Sequence, residues 1–410
     1  MAMPTAPVPF EFEPTGAEPV DFPFGPPVTI ELDPAFAALR ERQPVVRIRL
    51  PFGGEGWMVL RYADNLALLG DRRFSRAEAV GEDVPRTVVI PPGGSSLALL
   101  DPPEHGRLRS YAVRALGSRR LGLGPRIAEI ADELIADLIG GGPPADLVSG
   151  FALALPMRVI CELLGVPYAD RERFSAAAGV FLSSTAYSRE EVERAVEDMS
   201  DYLWDLVEQR RGQAGEEDLI GVLVQAQEDG DRLDDDEVLT LCATLLAAGF
   251  ENVANAIGNY TYLLMSRPDL ATKLRQAPDL IPDAIEEFLR LVPPTVGVTH
   301  ARIATEDLDI AGTAIRRGEA VFASLPSANR DPAVFEQPDE VRLDRTGPRH
   351  LAFGHGPHHC IGAALARSEL TVGLRALLTA LPDLRLDPDQ PVVWRSGLTV
   401  RGPAVMPVCW

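Results

Sequence analysis

Toward the C-terminal end of this 410-residue chain, the run Phe353-Gly354-His355-Gly356-Pro357-His358-His359-Cys360-Ile361-Gly362 delivers a lone cysteine to the head of an amphipathic helix, ALARSELTVGLRALL. Glycines at this density let the backbone pass close to something flat or bulky. A cysteine that opens a helix is expected to have a lowered pKa, because the helix N-terminus favours negative charge. A thiolate of this kind suits the proximal side of an iron porphyrin. Two plainer readings compete. Cys360 is an inert buried cysteine, the usual fate of a lone Cys, or His355, His358, His359 and Cys360 hold zinc for a hydrolase. The zinc set is awkward: adjacent His359 and Cys360 do not easily face one tetrahedral ion, and a second ligand pair at a distance is missing.

Charge narrows the class further. Sixty acidic residues against 39 basic ones leave a net −21, which argues against nucleic acid and against an anionic membrane surface as partners. Cys161, Cys242, Cys360 and Cys409 suggest neither a disulfide framework nor a CxxC clip, which fits a reducing cytoplasm. The opening MAMPTAPVPFEFEP lacks the basic and apolar regions of a signal peptide. The longest apolar run, Val238 to Gly249, is short for a bilayer. The expectation is a cytoplasmic protein with no membrane partner.

Residues 1–27 are Pro-rich and aperiodic and read as an extended arm. Residues 45–50 and 57–61 have strand character around a Gly-rich turn. Residues 76–98, with Pro85, Pro91, Pro92, Gly93 and Gly94, read as a long loop of the kind that serves function. Helical periodicity then predicts helices near 104–116, 125–140, 152–164, 168–180, 189–211, 217–228, 235–266, 268–276, 279–291 and 361–380. Short strands are expected between 298 and 322 and again after 384. With no internal repeat and no linker, residues 28–410 read as a single domain: mainly α (α+β), a large helical part with a smaller β-rich portion.

Three further groupings carry chemistry. Glu287 and Arg290 sit at i and i+3 on one helical face, ordinarily an exposed pair worth under about 1 kcal/mol. His105 and Arg109 lie one turn apart, either as a solvated basic face or as donors for carboxylates. The predicted 235–266 helix spans roughly 45 Å, is apolar nearly all round in its first half, and is interrupted by Glu251 and Asn252. A carboxylate there is costly unless paired or put to work; the bland alternative is a local bend or water pocket.

At this point the cysteine loop resembles, at every fixed position, the signature FGxGxHxCxG of the cytochrome P450 family. The segments VLRYADNLALLGDRRFSR, SANRDPAVFEQPDE and RSGLTVRGPAVMPV extend the resemblance over most of the chain from about residue 30. It implies the P450 fold, with haem b (iron protoporphyrin IX) between the long distal helix and the cysteine loop, and Cys360 as the iron ligand. It implies that His105, Arg109, Arg302 and His358 hold the haem propionates, and that Ala248, Phe353, Gly354 and Gly362 lie against the cofactor. Glu287 and Arg290 become the family's buried ExxR pair. Its usual third partner, an arginine, falls on Glu340 here, with Arg342 the substitute.

In the family, an acid and a threonine on the distal helix relay protons to dioxygen. Here the run is Ala248-Gly249-Phe250-Glu251-Asn252-Val253: the acid is present and an amide replaces the hydroxyl. That departure points to radical coupling of an aromatic or cyclic-peptide substrate, beside ordinary hydroxylation of a macrolide- or terpene-like molecule. Ala247, Phe250, Thr295, Val296 and Leu398 are the positions expected to line the substrate pocket. Arginines 107, 109, 114, 119, 120 and 126, against one acid, Glu104, form a basic stretch suited to an acidic ferredoxin, supplied by ferredoxin reductase. A haem sensor without turnover remains as a different class of function.

Overall fold

The protein, seen here in a computed structural model, is described over residues 18–25, 29–89, 96–118, 123–171, 173, 180, 185–212, 218–228, 233–295, 297–298 and 300–410. Its helices are α1 (Ala35–Arg42), α2 (Tyr62–Gly70), α3 (Glu104–Ser118), α4 (Leu123–Gly141), α5 (Ala154–Leu164), α6 (Arg189–Arg210), α7 (Leu219–Glu228), α8 (Asp235–Gly249), α9 (Glu251–Ser266), α10 (Pro268–Gln276), α11 (Ile281–Leu291), α12 (Leu325–Ala328) and α13 (Ala363–Ala380). Capping chemistry sets several of their starts. Ser188 and Asp234 each close a capping box with a glutamate three residues on, Glu191 and Glu237. Gly165, at φ 74°, ends α5 in the left-handed conformation.

The β portion is smaller. One sheet takes the order β1 (Val20–Asp21), β2 (Val45–Arg49), β3 (Glu55–Val59), β9 (Ala320–Ala323), β6 (Arg302–Ala304) and β4 (Phe74–Ser75). The pairs β1–β2 and β3–β9 are parallel and the rest antiparallel. Short pairings join β7 (Leu308–Ile310) to β8 (Thr313–Ile315), β11 (Val393–Trp394) to β12 (Pro403–Val405), and β5 (Ala145–Asp146) and β10 (Arg385–Leu386) to β13 (Pro407–Cys409). Of the expected N-terminal arm, 1–17 and 26–27 lie outside the described residues. The part between them is tied down, since β1 joins the sheet and the buried ring of Phe22 meets Phe36 at 6.3 Å.

The main core is helical. Ile127, Ile130, Leu134 and Leu138 make one stripe of α4, and Leu370, Leu374 and Leu377 one stripe of α13; the two helices pack along each other. Each such side chain contributes roughly 1.5–3 kcal/mol on burial. The predicted helix 235–266 is broken in two. Phe250 leaves helical geometry at φ −127° and ψ −39°, just after Gly249, a weak helix former. The break sends the Phe250 ring fully into the core. By length and composition Asp235–Ser266 could cross a membrane, but here it packs against α5, α7 and α13.

Below the cysteine loop sits a buried ion network. Arg290 meets Glu287 in a fork at 2.7 and 2.8 Å, and both side chains are almost fully buried. The same guanidinium donates to the carbonyls of Asn329 (2.9 Å), Pro338 (2.6 Å) and Glu340 (3.1 Å). The third cation is Arg345, not Arg342. Arg345 Nε reaches both Glu287 oxygens at 3.2 Å, and Arg345 and Arg290 lie over the Phe335 ring at 6.0 and 5.3 Å. Arg342 gives only its backbone N–H to Glu287, at 2.9 Å, while its side chain turns outward to Glu336. Glu340 contributes a carbonyl and no charge. Arg345 wins because its stem comes back over Phe335, a contact that sequence spacing does not display.

Removing one side of a buried pair strands the other. Arg290→Ala is therefore expected to cost about 3–5 kcal/mol. Arg345→Ala should cost about 1.5–3 kcal/mol, the range of a hydrogen bond to a charged group. Arg342→Ala should stay within about 0.5 kcal/mol. Denaturant titration of the three variants checks the order, and equal losses for Arg342→Ala and Arg345→Ala would refute the assignment.

Candidate active site

The cysteine loop is shaped by its glycines and fixed by its neighbours. Gly354 and Gly356 both take positive φ, 73° and 70°. At Gly356 a Cβ would lie 2.5 Å from the Leu69 carbonyl, so the close approach expected of these glycines is to the end of α2. The Cys360 N–H donates to the Phe353 carbonyl at 2.9 Å. Phe353 is in turn covered by the Arg367 guanidinium, 4.4 Å above its ring, which Glu286 holds at 2.6 and 2.9 Å. A Cβ on Gly362 would meet nothing within 4 Å.

Cys360, Ala248 and His300 present accessible surface, yet burial dominates the titration of Cys360 and His300. The two facts agree if these surfaces face an interior cleft. Burial pushes the Cys360 thiol up, outweighing the Gly362 N–H, Arg109 and Arg367, which pull it down. This corrects the expectation of a lowered pKa. The helix terminus and its cations are present, but desolvation of the sulfur is larger. A bound metal cation would reverse that balance.

One wall of the cleft is cationic. His105 is buried and stacks on His358, with ring centroids 4.1 Å apart. Arg302 is buried on β6. Arg109 Nη2 donates to the His359 carbonyl at 2.5 Å. Arg76 and Asp101, which no sequence motif marks, also belong to this wall. Arg76 is buried; its Nη1 donates to the Ala98 carbonyl at 2.7 Å, and its Nε makes no hydrogen bond. Asp101 accepts from Ser75 Oγ at 2.5 Å and from the Arg76 and Ala77 N–H groups at 3.0 and 3.3 Å. Burial lowers Arg76 to about 10 and Arg302 well below its usual range, and each depresses its neighbours. Burial, then Arg76, His105, Arg302 and Arg109, hold the His358 imidazole down to about 2. Arg76, Arg302 and Arg109 place three guanidinium groups around His358, and Asp101 is the described carboxylate that acts on Arg76, His105 and Arg302.

Ala248 presents accessible surface at the end of α8, and Asn252, across the break in α9, has a buried Oδ1 with no hydrogen-bond partner among the described residues. Glu251 is only 1% exposed and lies on the neighbouring stripe with Asn255. Phe250, expected at the pocket, is fully buried in the core instead, because the helix break turns it inward. Thr295 and Leu398 are half-buried, and Thr295 bridges to Val400. Val296, the Ala247 side chain, residues 90–95 of the long loop and Arg119 and Arg120 lie outside the described residues. Of the expected basic surface, Arg107 is taken up by Glu237, and Arg126 by Glu162 (2.5 Å) and Glu129 (2.9 Å). Among the described residues no group of three or more His, Cys, Asp or Glu is arranged to hold a metal ion, so the zinc reading has no support.

Comparison with known proteins gives the same answer as the geometry. The family model described as Cytochrome P450 matches residues 180–390. Mycinamicin IV hydroxylase/epoxidase of Micromonospora griseorubida is 46% identical, over 97% of this chain and 100% of its own. Nocardicin C N-oxygenase of Nocardia uniformis subsp. tsuyamanensis is 48% identical, over 95% of this chain and 98% of its own. The crystal structure of cytochrome P450mel 107F1, described as having biaryl coupling reactivity, superposes with a TM-score of 0.88 at 39% identity, covering 93% of this chain and 97% of that one. The chain belongs to the cytochrome P450 family, and it is a haem-dependent monooxygenase.

Haem fits the site on chemical grounds. Its carboxylates suit a wall that carries Arg76, Arg302 and Arg109, the Arg76 Nε has no hydrogen-bond partner among the described residues and offers a donor, and the open side of Gly362 leaves room for a flat group. If the cationic wall holds those carboxylates, Arg76→Leu removes one of their cationic partners. Hemin transfer to apomyoglobin should then be at least about tenfold faster than from the wild type, equivalent to about 1.4 kcal/mol. Unchanged transfer would exclude Arg76 from the site.

Proposed function

We propose that this monooxygenase inserts oxygen from dioxygen into a small organic molecule of bacterial secondary metabolism. Its electrons would come from a ferredoxin and ferredoxin reductase in the cytoplasm, with residues 28–410 acting as one catalytic domain. The observation that carries this reading is Cys360, held by the Phe353 carbonyl and Gly362 N–H at the mouth of a cleft with a cationic wall. The oxygenation chemistry named for the two relatives agrees with it. In this reading Cys360 is the iron ligand. Arg76, His105, Arg109, Arg302 and His358 clamp the propionates. Ala248, Phe353, Gly354 and Gly362 flank the ring.

When bound, the haem supplies the redox chemistry that activates dioxygen. The protein's residues do the rest. Cys360 offers the sulfur. The cationic wall fixes orientation at no cost in reorganisation. Asn252, whose buried Oδ1 has no partner among the described residues, would accept a hydrogen bond from a water, and Glu251 is the acid behind it. Thr295 and Leu398, both half-buried, would exclude bulk water around the substrate, as would Ala247 and Val296 if they line the same pocket. In Cys360→Ala, the reduced carbonyl complex should lose the absorption band of a thiolate-bound haem. Persistence of that band would overturn the assignment.

A second reading, radical C–C, C–N or C–O coupling, is favoured by Asn252 alone. An amide donates and accepts but is not an acidic hydroxyl, so proton supply to the distal side is weakened. The similar structure described as cytochrome P450mel 107F1 with biaryl coupling reactivity supports this reading. With 2-naphthol as probe, coupling predicts dimeric product from the wild type and a shift toward hydroxylated product in Asn252→Thr. Only oxygen-labelled monomer from the wild type, under labelled dioxygen, would remove this reading.

Electron delivery would use the face around α3. Arg114, exposed on α3 with its guanidinium over the Tyr111 ring, is the position at which an acidic partner is tested. Arg114→Glu should slow reduction by ferredoxin severalfold at low salt and flatten its salt dependence; identical stopped-flow traces would exclude this face.

A further inference from the structure

The acid next to the cleft is not left to itself. Glu251, Asn255 and Asn259 form one stripe of α9, a turn apart, and the stripe faces the loop 395–402 near the C-terminus. Arg395 Nη1 meets Glu251 Oε2 at 3.3 Å, and Asn255 Nδ2 donates to the same oxygen at 3.3 Å. Asn259 Nδ2 donates to the Arg401 carbonyl at 3.1 Å. The approach is close enough that a Cβ on Gly402 would sit 2.3 Å from Asn255 Oδ1.

That loop is fastened on several sides. The Arg395 N–H donates to the Gly402 carbonyl at 3.0 Å. The Gly397 carbonyl accepts from the N–H groups of Thr185 and Ala186, at 2.9 and 3.2 Å. Val400 bridges to Thr295, the Arg401 N–H donates to the Pro294 carbonyl at 2.8 Å, and its guanidinium to the carbonyls of Thr29 and Glu31 at 2.7 and 2.6 Å. The Arg395 side chain is 16% exposed and Glu251 1%.

We propose that Arg395 is a positioning residue for Glu251: presented by this braced loop, its guanidinium holds the carboxylate on the 251–255–259 face and sets the pH at which it takes up a proton. The proposal rests on the reading of Glu251 as the acid behind Asn252. Burial pushes the Glu251 carboxyl up, while Arg395, and after it Asn255, pull it down. Arg395 is the only charged group among the described residues that acts on it. Glu369, a buried carboxyl of α13 on the other helix packed there, exerts no resolved influence on Glu251. Taking away Arg395 removes the stabilisation of the charged form, so the acid should keep its proton to higher pH.

Infrared titration of the haem-loaded protein tests this without turnover. The carboxylic-acid carbonyl band that disappears in Glu251→Gln identifies the group. Arg395→Gln should move its midpoint upward by about 1–3 pH units, the effect of an opposite charge at this range, and Arg395→Lys should recover most of the shift. Arg395→Met, neutral with a similar stem, serves if the glutamine variant does not fold. An unmoved midpoint in a folded neutral variant overturns the proposal. A wild-type protein lacking a thiolate-haem spectrum would sink the underlying functional reading while leaving this titration measurable.

Discussion

Glu287 cannot be buried by itself. Its carboxylate survives in the core because Arg290 meets it in a fork, Arg345 closes the other side, and Phe335 lies beneath both guanidinium groups. Arg290 also gathers the carbonyls of Asn329, Pro338 and Glu340. The segment from 329 to 345 is thereby tied to α11, and it is this segment that leads into the cysteine loop. A buried salt bridge is weak evidence for added stability over an apolar core. What it does here is fix one arrangement of irregular chain, which apolar packing alone would leave free to shift.

The same rule, that buried charge needs an opposite charge, governs the cleft. Burial first, and then the neighbouring cations, depress the titration of His358 and Arg302, with Arg76 acting on both. The thiol of Cys360 is likewise raised by desolvation. These groups are individually unfavourable as placed. Bound haem would relieve them together, its carboxylates offering countercharge to the guanidinium groups and its iron to the sulfur. The fold and its cofactor are therefore linked in energy: ligand that binds only the folded form adds to its stability.

Much of this was legible in the chain itself. The loop 353–362, the pair Glu287–Arg290 and the helix starts at Ser188 and Asp234 are local patterns, and local patterns survive folding. What escaped was non-local. Arg345 reaches Glu287 across 58 residues. Arg76 lies in a Pro-rich stretch with no periodicity to place it. Arg107 and Arg126 looked like part of a free basic surface until their acidic partners came in from α8 and from α4 and α5. The break at Phe250 was signalled only weakly, by Gly249 and the polar pair that follows, because an apolar ring on an apolar helix does not mark where the helix must yield to the core.

The sulfur–iron bond is the claim beneath the rest, and X-ray absorption at the iron edge of the purified, haem-replete protein addresses it most directly. One sulfur atom in the first coordination shell of the iron is the predicted result. A first shell of nitrogen and oxygen alone, with haem fully bound, would contradict the account.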